Sequence, residues 1–277
     1  TRRKSRERSR TKYPHLISPL EGGDIEGVEK GIVVKQQIVI GTRGSKLALA
    51  QAEWVITELN RRFESLEFTT KIIKTTGDKI TGPALSRIGG KGLFVKEIED
   101  ALLSGEIDVA VHSMKDVPTE LAAGLIIAAV TQRADAHDAL IAKENKKLSE
   151  LPPQARLGTS SLRRQAQLLN YRPDLVVVDL RGNLDTRLRK LDTENFDAIV
   201  VAAAGLGRLG LASRVSELMP YEICLPAAGQ GALGIEIRSG TNVRDLRVRE
   251  LTATLNDPAA GFAVTAERAC LKELSGG

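Results

Sequence analysis

The feature that most constrains the fold is a pattern that occurs twice: an apolar strand, a turn of glycine and hydroxyl residues, and a helix. It reads I-G-T-R-G-S-K-L-A-L-A-Q over residues 40–51 and R-L-G-T-S-S-L-R-R-Q-A-Q-L-L over residues 156–169. Further apolar runs alternate with helical segments, at 68–73, 107–112, 176–180 and 198–204. Strands that alternate with helices indicate parallel sheets with helices on their faces. The sequence therefore predicts an α/β fold of two similar lobes around a central cleft.

The positive charge of the chain is concentrated at its start. The net charge is +5, but residues 1–12 alone hold seven Lys or Arg and one Glu. The remainder is close to neutral, so the basic pI is no argument for a nucleic-acid partner. Residues 1–36 are predicted to be a disordered basic extension, with a plastid transit-peptide remnant as the alternative. No apolar run reaches the roughly 18 residues of a transmembrane helix, so no membrane partner is expected.

The cysteines and histidines give no sign of a metal site or a disulfide scaffold. Cys224 and Cys270 lie far apart, and the three histidines form no cluster in the sequence. We therefore predict no metal and expect a reducing cytoplasm. Cys270 shares a four-residue spacing with Phe262 and Leu274, which predicts a buried packing cysteine rather than a nucleophile.

Two glycine-rich segments resemble nucleotide-binding motifs without their usual context. G-L-G-R-L-G at 205–210 fits the dinucleotide pattern, but no strand ending in an acid follows about 20 residues later. R-I-G-G-K-G-L-F at 87–94 lacks the Ser or Thr that should follow Lys91 in a phosphate loop. Both nucleotide interpretations are minor, although Lys91 remains a candidate to contact an anion.

Basic side chains collect where the predicted strands end. Five arginines lie at or just after such ends: Arg163, Arg164, Arg181, Arg187 and Arg208. Ligands of α/β sheets bind beyond the carboxyl ends of the strands, and guanidinium groups match carboxylates and phosphates. The predicted helix start near Ser161 adds free N–H groups and a positive dipole end. The pattern indicates a ligand that carries several carboxylates.

Lys115 and Asp116 adjoin each other at the end of another predicted strand, within H-S-M-K-D-V-P. An exposed charge pair on a loop is the simpler interpretation. In a cleft rich in arginine, however, Asp116 would stay ionised. It could then stabilise a cation or move a proton.

Several long motifs, taken in order, resemble those of the porphobilinogen deaminases, also called hydroxymethylbilane synthases. They read G-T-R-G-S-K-L-A-L-A-Q, G-G-K-G-L-F-V-K-E, V-H-S-M-K-D-V-P, G-T-S-S-L-R-R-Q, L-R-G-N, D-A-I-V-V-A-A-A-G-L-G-R-L-G and L-P-A-A-G-Q-G-A-L-G-I-E. The resemblance implies a transferase of haem and chlorophyll biosynthesis that joins four porphobilinogen molecules head to tail into hydroxymethylbilane. Ammonia is released at each step. A dipyrromethane cofactor is the primer, and each pyrrole adds two carboxylates.

The resemblance also assigns roles by position. Asp116 falls on the catalytic aspartate, which stabilises the positive pyrrole nitrogen as ammonia leaves and an azafulvene forms. Positions that bind cofactor or substrate fall on Arg43, Ser45, Lys91, Lys115, Ser161, Arg163, Arg164, Arg181, Arg187 and Arg208. Phe94 falls on an aromatic position near the chemistry, and Gln230 on a position near the interlobe strands. A monomer whose partner is porphobilinogen is expected.

Three domains are implied in the same way. Residues 37–131 and 232–253 are expected to form domain 1, residues 137–225 domain 2, and residues 254–277 the start of a small α+β domain 3. The first two would be periplasmic-binding-protein-like lobes of type II, joined by a hinge. The segment 74–92 is expected to be a mobile loop.

The end of the sequence departs from the family pattern. There, an A-E-R-A-x-L-x-x-L-x-G-G segment directly precedes the cysteine that holds the cofactor through a thioether, and this sequence stops at Gly277. Cys270 comes too early to be that cysteine. A chain complete at Gly277 is expected to lack the anchor and the full reaction, and its last helix to expose an apolar stripe. The parent of a fragment would be an ordinary deaminase. A two-lobe carboxylate-binding protein without turnover is the alternative, and a dehydrogenase is the third hypothesis.

Overall fold

Two five-stranded sheets organise the part of the chain that the structure describes, which is residues 37–79 and 95–274 of a computed structural model. Lobe 1 contains β1 (Gln37–Thr42), β2 (Glu67–Ile72), β3 (Val109–Ser113), β4 (Leu125–Val130) and β10 (Leu233–Arg238). Lobe 2 contains β5 (Asp138–Ala142), β6 (Arg156–Gly158), β7 (Val176–Val178), β8 (Ala198–Ala202) and β9 (Glu217–Leu218). The prediction of two α/β lobes is confirmed.

The strand order is the same in both sheets. Lobe 1 runs β2-β1-β3-β10-β4, and lobe 2 runs β7-β6-β8-β5-β9. In each sheet three parallel strands come first, and the fourth strand is antiparallel to both of its neighbours. This fourth strand is β10 in lobe 1, formed after the chain returns from lobe 2, and β5 in lobe 2, formed on arrival. The chain therefore crosses between the lobes twice, through residues 131–137 and 219–232, which we call the first and second crossovers.

One aspartate in each lobe makes the same hydrogen bonds, so the two sheets are equivalent at the level of single residues. Asp108 precedes β3, donates its N–H to the carbonyl oxygen of Val39 at 2.8 Å and accepts the Val39 N–H on its carboxylate at 2.9 Å. Asp197 precedes β8 and makes the same pair of bonds with Arg156, at 2.9 and 2.7 Å. Val39 and Arg156 belong to β1 and β6, which hold the same place in the strand order. The repeat seen in the sequence thus extends to sheet hydrogen bonding.

Helices cover both faces of each sheet, as parallel strands require. Those in the described ranges are α1 (Lys46–Asn60), α2 (Thr76–Lys79), α3 (Lys96–Leu103), α4 (Leu162–Tyr171), α5 (Leu184–Thr193), α6 (Ala203–Arg208), α7 (Val243–Ala253) and α8 (Pro258–Glu273). Helix α1 buries Ala52, Val55 and Leu59 on one stripe, and these side chains join the core on one face of the lobe 1 sheet. Two further clusters form the faces of lobe 2.

Helix α8 packs on lobe 1 by a face that the sequence analysis did not select. Val264 is 1% exposed, and the Arg268 guanidinium donates to the carbonyl oxygen of Val117 at 2.7 Å. Phe262 is 78% exposed, and Cys270 is exposed as well. The prediction that Cys270 is a buried packing residue is therefore wrong, because its four-residue stripe lies on the side of α8 turned away from lobe 1.

Candidate active site

The end of β3 carries the predicted catalytic pair. The strand runs into a single 3-10 turn, Met114–Asp116, which is anchored by Met114 at 2% exposure. This anchor leaves Lys115 half-buried and Asp116 exposed. The strand end therefore presents an ammonium group and a carboxylate side by side.

Charged groups of the two lobes meet at these strand ends. Lys115 of lobe 1 lies within electrostatic range of Arg164, in the first turn of α4 in lobe 2. Arg187, on α5 of lobe 2, lies within electrostatic range of Asp116. We call the space between the ends of β1 and β3 and the ends of β6, β7 and β8 the cleft. The convergence predicted from the strand ends is thus present for these four side chains.

Nearby negative charge compensates the buried ammonium group of Lys115 only in part. Burial lowers the pKa of Lys115 to about 8; the carboxylate of Asp116 opposes this shift, and the charge of Arg164 adds to it. Its Nζ donates a long hydrogen bond, 3.4 Å, to Oε1 of Gln230. An ammonium group with a depressed pKa is stabilised by any added anion. A carboxylate bound in the cleft would restore its charged form.

The two predicted serines are helix N-caps. Ser45 accepts the N–H of Ala48 at 3.3 Å where α1 begins, and Ser161 accepts the N–H of Arg164 at 3.4 Å where α4 begins. Each hydroxyl satisfies one of the free N–H groups of a first turn. Both helices start at the cleft, so their positive dipole ends add to its potential.

Asp138, the first residue of β5, holds the two adjacent arginines of α4. Its Oδ1 accepts from Nη2 of Arg164 at 2.7 Å, and its Oδ2 lies 2.8 Å from Nη2 of Arg163. Asp138 has no exposed surface, and Arg164 is 5% exposed. Burial alone would raise the pKa of Asp138, but the hydrogen bond and charge of Arg164 and the charge of Arg163 bring it down to about 2. The R-R pair of the motif is therefore anchored internally.

Three arginines of lobe 2 have buried guanidinium groups whose charge or hydrogen-bonding capacity is not fully satisfied by the described protein groups. The Nε of Arg164 is buried and has no hydrogen-bond partner among the described residues. Burial and the charge of Arg164 lower the pKa of Arg187. Burial also lowers the pKa of Arg208, whose guanidinium donates to the carbonyl oxygen of Gly231 at 2.7 Å. Each of these cations would be stabilised by a ligand anion.

Arg181 is placed differently from these three. Its Nε donates to Oδ2 of Asp179 at 2.7 Å, and the Asp179 side chain is 58% exposed. Arg187 donates from Nε to the carbonyl oxygen of Gly182 at 2.8 Å. The R-G-N turn after β7 thus fixes both arginines, Arg181 by an ion pair and Arg187 by a main-chain contact.

Gln230 lies in the second crossover and is 1% exposed. Its Nε2 donates to the carbonyl oxygens of Ala136 and His137 at 2.7 and 3.3 Å, and to Oδ1 of Asp138 at 2.9 Å. Its Oε1 accepts from Lys115. Both ends of the amide are committed to protein groups, so Gln230 bridges the crossovers and the two lobes.

Comparison with known proteins identifies the family. The family model described as "Porphobilinogen deaminase, dipyromethane cofactor binding domain" matches residues 38–245. The chain belongs to the porphobilinogen deaminase family. Proteins named porphobilinogen deaminase from Pelobacter propionicus, Geobacillus kaustophilus and Shouchella clausii are 55%, 53% and 56% identical to it, each over 87% of this chain. The matches cover 76%, 77% and 77% of those relatives, so the chain spans about three quarters of their length.

Solved structures of other proteins resemble this chain only distantly. The regulatory domain of OxyR2 from Vibrio vulnificus is 13% identical, with a TM-score of 0.46 over 81% of this chain and 98% of that chain. A TRAP periplasmic solute binding protein from Desulfovibrio salexigens is 12% identical, with a TM-score of 0.46 over 87% of this chain and 78% of that chain. The two-lobe architecture of this porphobilinogen deaminase family member is evident in the strand order of its own two sheets.

The cleft fits the dipyrromethane cofactor of the family by its charge. A dipyrromethane carries carboxylate side chains. An anion would stabilise both the desolvated Arg187 and the buried Nε of Arg164, which has no partner within residues 37–79 and 95–274. Within residues 37–79 and 95–274, no group of His, Cys, Asp and Glu could hold a metal ion. Over the same residues, no helix has the length and hydropathy needed to cross a membrane.

Not every predicted site residue has a described position. Lys91 and Phe94, together with most of the 74–92 loop, lie outside the described residues. Arg43 follows β1 directly and is half-buried. The binding roles of Lys91, Phe94 and Arg43 therefore remain predictions.

The G-L-G-R-L-G segment does not form a dinucleotide turn. Gly205 and Gly207 lie inside α6, which begins directly after β8. A dinucleotide fingerprint needs its first glycine in the turn between strand and helix. The dehydrogenase alternative therefore loses the motif on which it depended.

Sequence reasoning missed Asp138 and Cys224. Cys224 is buried, and its thiol lies 3.4 Å from Oδ2 of Asp138. Burial, and then the charge of Asp138, raises the pKa of Cys224 to about 11, so the thiol stays protonated and donates. The available signal was the acid that opens the apolar strand D-A-L-I-A, because a charge at the start of a fully buried strand requires a buried partner.

Proposed function

We propose that this chain catalyses the porphobilinogen deaminase reaction, in which four porphobilinogen molecules are joined into hydroxymethylbilane with loss of ammonia. The observation that carries the proposal is the unbalanced positive charge of the cleft, where Lys115, Arg164 and Arg187 converge near Asp116. An oligopyrrole with two carboxylates on each ring is the complementary ligand. Membership of the family supports the same reaction.

Asp116 is the proposed catalytic residue. In each cycle the bond between the aminomethyl carbon and its nitrogen breaks, ammonia leaves, and positive charge develops on the pyrrole nitrogen of the substrate. The carboxylate of Asp116 is exposed, which supports this role, because a negative charge beside the pyrrole nitrogen stabilises the developing cation. The new carbon–carbon bond forms at a free pyrrole α-carbon, which loses its proton, so the protein needs no nucleophile of its own. A bound dipyrromethane supplies the first such carbon.

The proposed carboxylate-binding groups come from both lobes. They are Arg43, Ser45 and Lys115 from lobe 1, and Ser161, Arg163, Arg164, Arg181, Arg187 and Arg208 from lobe 2. Lys91 and Phe94 complete the proposed set. Ser45 and Ser161 contribute through the helix starts that they cap. Gln230 contributes as the bridge between Lys115 and Asp138.

The proposed domain boundaries follow the sheets and the crossovers. Domain 1 comprises 37–131 and 232–253, domain 2 comprises 137–225, and domain 3 begins at 254. We also propose that the protein works as a monomer in the cytoplasm, where both free cysteines, Cys224 and Cys270, would remain reduced. Sedimentation of the purified chain with and without porphobilinogen would test the monomer.

The test of the function measures binding and turnover of porphobilinogen separately. The chain is incubated with porphobilinogen; ammonia release and the uroporphyrin formed on oxidation of the product report turnover, and calorimetry reports binding. Asp116→Asn should lower turnover by about 100-fold or more while leaving the Kd within a few-fold. Asp192→Asn, which removes an exposed carboxylate paired with Arg214, is the matched control and should change neither.

Three outcomes are informative. Turnover that depends on Asp116 supports the proposal. Binding without ammonia release would favour the two-lobe carboxylate-binding protein instead. Absence of binding would contradict both, because the cationic cleft would then have no affinity for the ligand from which its function was inferred.

A further inference from the structure

The carboxylate of Asp138 is saturated by protein donors. Oδ1 accepts from Arg164 at 2.7 Å and from Gln230 at 2.9 Å. Oδ2 pairs with Arg163 at 2.8 Å and accepts from the Cys224 thiol at 3.4 Å. Three hydrogen-bond donors and the paired guanidinium of Arg163 thus surround the two oxygens of this carboxylate. We therefore expect Asp138 to act on a ligand only through the groups that it holds.

Building on the proposed function, we propose that Asp138 is a positioning residue that sets the carboxylate-binding groups on both walls of the cleft. It fixes the Arg164 guanidinium of lobe 2 directly. It fixes Lys115 of lobe 1 through the amide of Gln230. A single buried carboxylate thus aligns cations that come from different sheets.

The path to Lys115 depends on the orientation of one amide. The acceptors around one end of the Gln230 side chain are the carbonyl oxygen of Ala136 at 2.7 Å and Oδ1 of Asp138 at 2.9 Å. Only the NH₂ end of the amide can donate to both. Oε1 must then face the opposite side, where it accepts from Nζ of Lys115. The carboxylate of Asp138 and the carbonyl oxygen of Ala136 therefore set the orientation of Gln230 together, and this orientation gives Lys115 an oxygen as its acceptor.

The path to Arg164 depends on which of its nitrogens remain available. Nη1 donates to the carbonyl oxygen of Val200 at 3.0 Å, and Nη2 donates to Asp138. The planar guanidinium is then fixed, and only Nε is buried without a partner in the described part of the chain. Asp138 thereby fixes the orientation in which the Arg164 guanidinium lies beside the cleft.

Asp108 provides a matched comparison in lobe 1. It is 2% exposed, and it pairs with two arginines, Arg244 at 2.7 Å and Arg238 at 3.3 Å. Neither arginine belongs to the cleft. Asp108→Asn and Asp138→Asn therefore remove the same chemical group from similar buried clusters, but only the second removes it from behind the proposed site.

The experiment compares the Kd of porphobilinogen, measured by calorimetry, in wild type, Asp138→Asn and Asp108→Asn. We expect Asp138→Asn to weaken binding by about 100-fold, since misplacing a binding group by about 1 Å has effects of that order. Asp108→Asn should remain within about twofold of wild type, because its cluster lies outside the cleft. Net charge alone predicts the opposite sign for Asp138→Asn, because removing a carboxylate from a cationic site tightens anion binding. Unchanged or tighter binding by Asp138→Asn would overturn the proposal.

A second measurement follows Lys115 itself. The pH dependence of reductive methylation at Lys115, read by peptide mass spectrometry, gives its pKa in each variant. The pKa should fall in Asp138→Asn, because a neighbouring negative charge is lost. It should not move in Asp108→Asn. Equal Lys115 pKa values in all three proteins would show that Asp138 has only a folding role.

The design separates this inference from the proposed function. If wild type does not bind porphobilinogen, the proposed function fails, and the Lys115 titration alone then decides whether Asp138 positions that side chain. If Asp138→Asn lacks a cooperative unfolding transition, Gln230→Met takes its place. This variant leaves Asp138 paired with both arginines and removes the Gln230 amide, which links Asp138 to Lys115 and also donates to the carbonyl oxygens of Ala136 and His137. We expect Gln230→Met to weaken porphobilinogen binding by about tenfold and to lower the Lys115 pKa. Wild-type values for both would overturn the proposal.

Discussion

Two of the aspartates that are buried in the described residues, Asp108 and Asp138, each hold two arginines, yet their surroundings differ. At Asp108, the carboxylate accepts from Arg244 and Arg238, and a second carboxylate, Asp245, pairs with Arg238 at 2.8 Å. Two acids thus face two guanidinium groups. Burial would raise the pKa of Asp108, but the hydrogen bond from Arg244 is foremost among the interactions that hold it below its usual value.

At Asp138 the charges do not balance. Arg163 and Arg164 share this one carboxylate, and no other described carboxylate lies within 4 Å of either guanidinium. The neighbouring groups include two further cations, Lys115 and Arg187, with Asp116 as the carboxylate in electrostatic range of both. A buried aspartate with two arginines therefore forms a balanced cluster in lobe 1, at Asp108. In lobe 2, at Asp138, it leaves an excess of positive charge.

A buried ion pair is therefore informative about function mainly through the charged groups that surround it. A balanced cluster compensates its own desolvation, whereas an unbalanced one lowers the pKa values of its cations and favours an anionic ligand. Lys115, Arg187 and Arg208 all show lowered pKa values in the cleft. In contrast, the pKa of Arg244 beside Asp108 is raised, first by the hydrogen bond to that carboxylate.

The largest expected effect concerns folding stability. Asp138→Asn should lower the free energy of unfolding by about 3–5 kcal/mol, because Arg163 and Arg164 would lose their carboxylate in a cluster that is already positive. Asp108→Asn should cost about 1.5–3 kcal/mol, since Asp245 still compensates Arg238. Urea denaturation followed by circular dichroism measures both values. Equal losses would show that the charge balance around each aspartate does not matter.

The next effect separates ligand binding from stability. Arg187→Met should weaken porphobilinogen binding by about 10- to 100-fold, which is the range for losing one charged hydrogen bond. It should not reduce the stability of the ligand-free protein, because Arg187 is desolvated and repelled by Arg164. The matched control is Arg189→Met on the same helix, where the side chain is exposed. Calorimetry measures the binding of porphobilinogen by both variants, and thermal unfolding measures their stability. A marked loss of stability in Arg187→Met would show that Arg187 stabilises the fold instead of binding the ligand.

A smaller effect is the pH dependence of ligand affinity. The pKa of Lys115 is depressed to about 8, so the free protein loses this charge as the pH rises through 8. A bound carboxylate favours the charged form, so binding takes up a proton above that pH. Affinity should then fall by up to about tenfold per pH unit above pH 8. Lys115→Met should bind weakly with a flat profile, whereas Lys146→Met, which removes an exposed lysine, should keep the wild-type profile.

Much of the fold could be predicted because its signals are local. The runs of apolar residues predicted strands such as β1, β6 and β8 to within a few residues, since buried parallel strands need continuous apolar side chains. The strand order required contacts between distant segments. The insertion of β10 into the lobe 1 sheet is one such contact, and no local pattern around 233–238 distinguishes it from a strand of lobe 2.

The residues of the site could be predicted from the sequence better than the contacts between them. The strand ends indicated Lys115, Asp116 and the arginines, and the structure brings Asp116 and Arg187 together. The sequence could not show that Asp138 anchors Arg164, because the two residues are 26 positions apart and the bond depends on how β5 enters its sheet. The burial of Cys270 was mispredicted, since a four-residue stripe does not reveal which side of a helix faces the core.

The smallest expected effect tests the last donor to Asp138. Cys224→Val keeps the volume of the side chain but removes the thiol that donates to Oδ2, so it should cost about 0.5–1.5 kcal/mol of stability. Cys270→Val should cost almost nothing, because Cys270 is exposed. The two thiols also provide an independent readout: at pH 8 a maleimide should label Cys270 quickly, whereas Cys224, buried and with its pKa raised to about 11, should react only on unfolding. Faster labelling of Cys224 in Asp138→Asn than in Asp108→Asn would show that the carboxylate closes this part of lobe 2. Equal labelling would instead mean that apolar packing alone protects the thiol and that the cluster around Asp138 contributes nothing to its burial.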